Sequence, residues 1–280
     1  MSKFIVITGA TSGLGKELVK LYSEDLTNII FAGYRDKYKL DRQRPKNVIY
    51  FEIDMSKRES VVKAAEFIRS RTSKIDTLIN VAGCVTAGPI EKIDTQRLRE
   101  QFDVNTFSHI EFTQNLLPVM RDSKIINVSS MASFGQFPFI SPYCASKRAL
   151  DIFFNALAVE NHKNIQVISV KPGVIATPLW KKSVDANQII LQSCSDYEPE
   201  LKFLKDNALK NSKRGLKVET VAKFIRWIDS NKYNLSSYVI GWDALLAAIV
   251  SILPQDLVNL IIKYGLQYKL DMGKSVVKKV

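Results

Sequence analysis

Short apolar runs rich in β-branched residues alternate with amphipathic stretches along most of this chain. The runs Phe4–Ile7, Asn28–Gly33, Val48–Ile53, Thr77–Val81, Ile125–Val128 and Ile165–Val170 predict strands. Between them apolar residues recur at helical spacing over about Gly13–Ser23, Arg58–Arg71, Thr95–Met120 and Pro142–Asn161. Such alternation predicts βαβ units and a parallel sheet. Several strands are continuously apolar, as burial of both sheet faces requires.

The rhythm changes after Pro172. Residues Thr177–Arg214 are polar and lysine-rich with no clear period; residues 177–217 are expected to form a loop or flap over a ligand site. A helix at Val218–Ser230 and a strand at Tyr238–Gly241 follow. The tail, residues 243–273, is apolar at helical spacing but broken by Pro254, so two helices are expected. Its apolar runs are too short to span a bilayer. They suit packing on the core, lining of a substrate pocket, or contact with a partner or membrane surface. The whole chain, residues 1–280, is expected to be one domain.

Charge adds one question. Forty basic residues against 28 acidic give +12. The lysines are spread, with small clusters at Lys37–Arg44, Lys202–Lys217 and Lys274–Lys279, so no nucleic-acid face is expected. The balance fits an enzyme with anionic ligands, with attraction to an anionic membrane as the alternative. Cys84, Cys144 and Cys194 are odd in number and far apart, which fits a reducing compartment; no metal-ligand spacing occurs. The first residues lack the pattern of a secretory signal, and a cytoplasmic location is expected, with peripheral membrane contact as an option.

The candidate chemistry begins at Thr8-Gly9-Ala-Thr11-Ser12-Gly13-Leu14-Gly15, which follows a strand and opens a helix. Glycines there permit a tight turn and close approach of backbone amides to a pyrophosphate. Gly9, Thr11, Ser12, Gly13, Leu14 and Gly15 are therefore dinucleotide-binding candidates. An acid that holds the adenosine ribose is expected at the end of the second strand. Here Tyr34 and Arg35 stand there, with Asp36 after them. Arg35 can form charge-assisted hydrogen bonds to a 2′-phosphate, and Ser12 can add a donor, so NADP(H) is favoured over NAD(H). The alternative gives the ribose to Asp36. Asp54 and Met55 follow the third strand; Asp54 suits an adenine amino group or the N-cap of the next helix.

Tyr143 and Lys147 stand at i and i+4, on one helix face. A free tyrosine, with a pKa of about 10, is a poor base near neutrality, and lowering it by three units needs about 4 kcal/mol. An adjacent ammonium contributes to that. Thirteen residues before the tyrosine, Asn127-Val-Ser129-Ser130 closes an apolar strand. Asn80-Val81-Ala82-Gly83 closes another, Asp103-Val-Asn105 lies within a helical pattern, and Lys171-Pro172-Gly173 leads to Thr177. Most of these fall where parallel strands end, which is where open α/β sheets bind ligands.

These ordered motifs, over residues 3–180, resemble the short-chain dehydrogenase/reductase family in its shorter form. The run from Tyr143 to Asp151 is similar to hydroxysteroid and retinol dehydrogenase branches. The resemblance implies an α/β, three-layer, doubly wound Rossmann fold with a parallel sheet of about seven strands. It implies that Tyr143 transfers the proton, that Lys147 holds the nicotinamide ribose and lowers the tyrosine pKa, and that Ser130, rather than Ser129, binds the substrate oxygen. It implies that Asn105 anchors a water and that Asn80, with Ala82 and Gly83, approaches the adenosine or supports the central strand. It places Pro172, Gly173 and Thr177 at the nicotinamide end. The family's usual second asparagine is Val81 here. The implied activity is NADP(H)-dependent interconversion of a small-molecule carbonyl and alcohol, on a steroid, retinoid or lipid-like substrate, by a homo-oligomer. The alternatives are a non-catalytic NADP(H) sensor or scaffold, which has no need of a proton donor, and a membrane-surface lipid carbonyl reductase. Phe134, Phe137, Phe139 and Trp180 suit either a pocket wall or ordinary packing, and His109 and His162, without companions, are expected at the surface or core edge.

Overall fold

A computed structural model describes residues 2–41 and 43–277, so Arg42, Lys278 and Lys279 of the basic clusters lie outside the described residues. Seven strands form one parallel sheet: β1 (Phe4–Ile7), β2 (Ile29–Tyr34), β3 (Val48–Glu52), β4 (Ile75–Asn80), β5 (Met120–Val128), β6 (Gln166–Pro172) and β7 (Ser237–Ile240). Their order is β3-β2-β1-β4-β5-β6-β7. Helices cover both faces, giving three layers. The alternation of side chains along each strand assigns the two cores. Ile5 and Ile7 of β1 pack with α1 (Gly13–Ser23) and α9 (Val218–Ser230), whereas Val6 between them packs on the opposite side. That second core is closed by α2 (Arg58–Arg69), α4 (Ser108–Leu116) and α5 (Ser141–Glu160).

The sequence reading misses two things here. The long helix expected over Thr95–Met120 is divided into α3 (Thr95–Phe102), a π-helical turn at Asp103–Phe107, and α4. Pro118 then ends the helical run, and β5 starts at Met120 rather than Ile125. The early half of β5 was hidden because Arg121 and Asp122 are exposed and its pairing with β4 is irregular near Ile75. The second miss is the segment 177–217. It is helical, as α6 (Leu179–Ala186), α7 (Gln188–Ser193) and α8 (Glu198–Arg214). Polar residues mask α8, yet it has Pro199 in its first turn, acids at its start, basic residues at its end and a buried Leu201. The tail forms the two expected helices, α10 (Trp242–Val250) and α11 (Gln255–Val277). Among the described residues no helix is long and apolar enough to cross a membrane.

Candidate active site

The strand order reverses between β1 and β4, and the crevice at their carboxyl ends receives the first two motifs. Gly9 and Gly13 have φ of 66° and 51°, a conformation that favours glycine. At Gly15 a Cβ would lie 2.2 Å from the Gly9 carbonyl oxygen, so the turn can close only on a glycine. Leu14 is buried beneath the loop and Thr11 is half-buried within it. Ser12 occupies the N-cap of α1 without capping it, and the first turn holds no acid. The first amides of α1 therefore have no side-chain acceptor, which suits a diphosphate. Thr8, which the sequence reading did not single out, ties the two strand ends together: its Oγ1 accepts from the Val81 and Ala82 amides at 2.9 and 3.2 Å.

Asn80 is buried and its Nδ2 donates to Asn127 Oδ1 at 2.8 Å. Of its two implied roles, bracing the central strands fits this position. Asn105 sits in the π turn, where the extra residue per turn shifts the side chain toward Gly83. Its Oδ1 accepts from the Cys84 amide at 2.9 Å, and its Nδ2 donates to Cys84 O and Ser146 Oγ at 3.0 and 3.1 Å. A Cβ on Gly83 would lie 3.3 Å from Asn105 Oδ1 and 3.7 Å from Lys147 Nζ, so these three residues meet. His109 differs from expectation. It is 1% exposed, inside α4, and its Nε2 lies 2.9 Å from Ala82 O. A carbonyl only accepts, so Nε2 carries the proton. Burial pushes this imidazole down to about 3. His162 is exposed.

Tyr143 and Lys147 lie one turn apart on α5, 8% and 4% exposed. Contrary to the lowered value expected from Lys147, burial pushes the phenol up to about 12, opposed by a hydrogen bond with Ser130. Burial likewise lowers the ammonium to about 8, opposed by the charge of Asp151 one turn further on. Lys147 Nζ donates to Val128 O at 2.9 Å, which holds it under the end of β5. Asp151, also buried, pairs with Lys171 at 3.2 Å. Ser130 stays beside the phenol and also accepts from the Ala132 amide at 3.1 Å. Ser129 is buried, and its amide donates to Val170 O.

A serine, a phenol and an ammonium thus converge beside a glycine loop at a sheet switch point. The family model for short chain dehydrogenases matches residues 3–188. The chain belongs to this family. Similar relatives include an uncharacterized oxidoreductase of Bacillus subtilis (strain 168), 29% identical over 80% of this chain and 83% of its own length. Another is an NADPH-dependent 3-dehydrocapnine reductase of Ornithobacterium rhinotracheale, 30% identical over 79% of this chain and 81% of its own. A short chain dehydrogenase from Burkholderia cenocepacia J2315, solved with NADP, superposes with a TM-score of 0.74 at 22% identity, over 93% of this chain and 97% of its own.

In this short chain dehydrogenase the end of β2 carries an arginine where an acid is expected. Arg35 is exposed just beyond β2 and, among the described residues, has no carboxylate partner. Asp36, the alternative ribose ligand, accepts from the Tyr38 amide at 3.0 Å and pairs with Lys39 at 3.2 Å. Asp54 is not the N-cap of α2, which begins at Arg58 with Lys57 in that place. The carboxylate instead closes a turn on Ser56, accepting from its amide and hydroxyl at 3.0 and 2.7 Å. Arg35 and Asp54 border a surface hollow of about 990 Å³ together with Tyr34, Lys57 and Arg58. Met55 is a core residue whose carbonyl accepts from Ser108 Oγ at 2.6 Å.

At the other end, Pro172 closes β6 and the Gly173 amide donates to Ile240 O at 2.9 Å. A Cβ on Gly173 would fall 1.9 Å from Asp243 Oδ1, and Asp243 Oδ2 accepts from the Val174 amide at 2.7 Å. The first turn of the tail therefore backs this loop. Thr177 is buried beside Gly13. Around Tyr143 an apolar cluster forms from Val85, Ala132 and Cys144, with Phe137, Ile140 and Leu179 against it. Phe139 meets Tyr197, 6.0 Å between ring centroids, whereas Phe134 lies beneath Lys171. Trp180 Nε1 donates to Ile175 O at 2.8 Å.

Two anchoring residues escaped the sequence reading. Asn187, 1% exposed between α6 and α7, donates to Val85 O at 2.9 Å and accepts from the Ala87 amide and Arg97 at 3.0 and 3.1 Å. Lys182 of α6 donates to Ser12 Oγ at 3.2 Å. No motif marked either one; both were lost in a segment read as irregular. Among the described residues no cluster of acids, histidines and cysteines could hold a metal ion.

Proposed function

We propose that this chain is an NADP(H)-dependent reductase or dehydrogenase that interconverts a carbonyl and an alcohol on an apolar substrate. The observation that carries this reading is the convergence of Ser130, Tyr143 and Lys147, with a buried phenol, beside a loop that only glycines can form. Gly9 to Gly15 and the amides of α1 would hold the diphosphate, Arg35 and Ser12 a 2′-phosphate, and Lys147 the nicotinamide ribose. Asp54 would face the adenine; Pro172, Gly173 and Thr177 would bound the nicotinamide end. The bound dinucleotide supplies or accepts the hydride.

The protein's own work is proton transfer and positioning. With a phenol raised to about 12, Tyr143 is a stored proton near neutrality, suited to protonate a substrate oxygen during reduction. Ser130 donates to the same oxygen as negative charge develops there. In oxidation the phenolate is needed, and the Lys147 ammonium stabilises it. Asn105 positions the Gly83–Cys84 backbone beside Lys147. Val85, Phe137, Ile140 and Leu179 favour an apolar substrate at the phenol. The segment 177–217 acts as the flap above it, within a single working unit. Arg35 without a carboxylate, and Asp36 already engaged, support NADP(H) over NAD(H); the relative that uses NADPH agrees.

The test is a panel of carbonyls and alcohols followed by NADPH absorbance. Tyr143→Phe should lower kcat by about 10²–10⁴-fold with cofactor affinity retained. Normal turnover in that variant, or a clear preference for NADH in the parent, would refute the respective part of the reading. Exposed Phe107, Ile152, Phe153 and Val159 on and beside α4 and α5 favour a homo-oligomer formed there; a single-chain mass in solution at working concentration excludes it. A second reading, favoured by exposed apolar residues of α10 and α11, sets the same reaction at a membrane surface.

A further inference from the structure

Three cations gather at the edge of the glycine loop without a matching set of acids. Lys182 reaches from α6 to Ser12 Oγ at 3.2 Å. Burial lowers its pKa, and the charges of Lys39 and Arg35 lower it further, so both lie near its ammonium. Of the carboxylates near these cations, Asp36 is committed to Lys39 at 3.2 Å and to the Tyr38 amide, and Asp54, beside Arg35, is turned onto Ser56. A surface lysine free to move extends into water, where its charge is best solvated. Lys182, though exposed, is instead turned onto a hydroxyl beside like charges, an arrangement an anion would relieve.

The backbone explains how the ammonium gets there. The flap begins against the loop: a Cβ on Gly13 would lie 3.3 Å from Thr177 and 3.8 Å from Pro178. One turn into α6, Lys182 returns to the same loop at Ser12. The far end of α6 is fixed by Asn187 to Val85 and Ala87. The helix therefore bridges the loop that would carry the cofactor and the wall that would carry the substrate.

We propose that Lys182 is a phosphate clamp: with Ser12 and Arg35 it binds the 2′-phosphate monoester on the adenosine ribose, and in doing so fastens the flap to the glycine loop. This rests on the NADP(H) reading. A phosphate monoester carries nearly two negative charges near pH 7 and three acceptor oxygens. Arg35 offers a planar fork and Lys182 a compact point charge, so the two can share one phosphate from different sides. Lys182 is thus a specificity residue supplied by the substrate flap rather than by the nucleotide-binding strands.

The experiment uses adenosine 2′,5′-bisphosphate and adenosine 5′-monophosphate, which lack the nicotinamide and so report no turnover. Calorimetric titration compares the parent protein with K182M and K182R, and trypsin digestion at the α8 lysines follows the flap. In the parent, the bisphosphate should bind at least about tenfold more tightly than the monophosphate and protect α8. K182M should weaken the bisphosphate by about tenfold, change the monophosphate by less than about twofold, and lose the protection. K182R should keep most of both. If the parent does not discriminate between the two ligands, the NADP(H) reading fails and the clamp with it. If the parent discriminates and K182M does so equally, the clamp alone is overturned. Equal weakening of both ligands in K182M also overturns it, since Lys182 would then merely support the loop.

Discussion

His109 and Tyr143 are both titratable groups taken out of water, and they respond oppositely to pH. A folded imidazole at about 3 stays neutral where the unfolded one, near 6.5, gains a proton. The unfolded chain then binds more protons, so stability is whole above pH 6.5 and is lost as pH falls from 6.5 toward 3. Denaturant unfolding should show a loss of about 2 kcal/mol between about pH 6.5 and about pH 5 from this group alone. His109→Gln should flatten that slope; an unchanged slope would contradict the buried neutral imidazole. Tyr143, raised to about 12, has no such effect below neutrality and keeps its proton. At this scale the chain was legible where chemistry imposes spacing. Gly9, Gly13, Gly15, Tyr143 and Lys147 stand at intervals that a turn or a helix face fixes, whereas Ser130 follows only from the family resemblance. His109 was misplaced because nothing local says that its partner is a carbonyl 27 residues away, at Ala82. Asp54 is not the cap it could have been, since an acid before a helix closes a turn as readily as it caps the helix.

Among the elements, α6 to α8, the proposed flap, are where binding and chemistry should separate most clearly. Asn187 fills a polar notch between α6, α7 and the strand-end loop. Asn187→Ala would leave Val85 O and the Ala87 amide without these partners, a cost of about 1–3 kcal/mol borne by the closed flap. The expected result is a raised KM for substrate, faster proteolysis across α7 and α8, and turnover at saturation less affected. A fall confined to kcat would show that Asn187 serves the reacting groups instead. The strands of the sheet were readable because burial on both faces leaves them continuously apolar, and β1 to β4 fell within a few residues of their observed limits. The helices α6 to α8 were not, because polar residues dominate them; α8 owes its form to end effects and to the buried Leu201. The π turn at Asp103–Phe107 was equally invisible, since it interrupts a helix without a proline or a break in composition.

For the whole molecule, the feature that matters is the exposed apolar side of α10 and α11. Leu246, Ile249, Ile252, Leu260 and Tyr264 are exposed there, in a chain of net charge +12. If the tail meets anionic lipid, the protein should co-sediment with vesicles containing phosphatidylserine at low salt, and L246E/I249E should abolish this with the fold intact. Binding that survives those charges would point elsewhere on the basic surface. The sheet order and the seven strands agree with the architecture implied by the motifs, because βαβ rhythm and strand-end chemistry are long-range constraints written locally. The tail's place was not, since apolar spacing does not name what it packs against. Asp243 gives that tail a reach beyond its own surface. The same carboxylate begins α10 and fills the space behind Gly173. A deletion running past residue 243, or a tether that shifts α10, would act directly on the loop at Gly173 and Val174. An assay made with such a handle measures the handle as well as the enzyme.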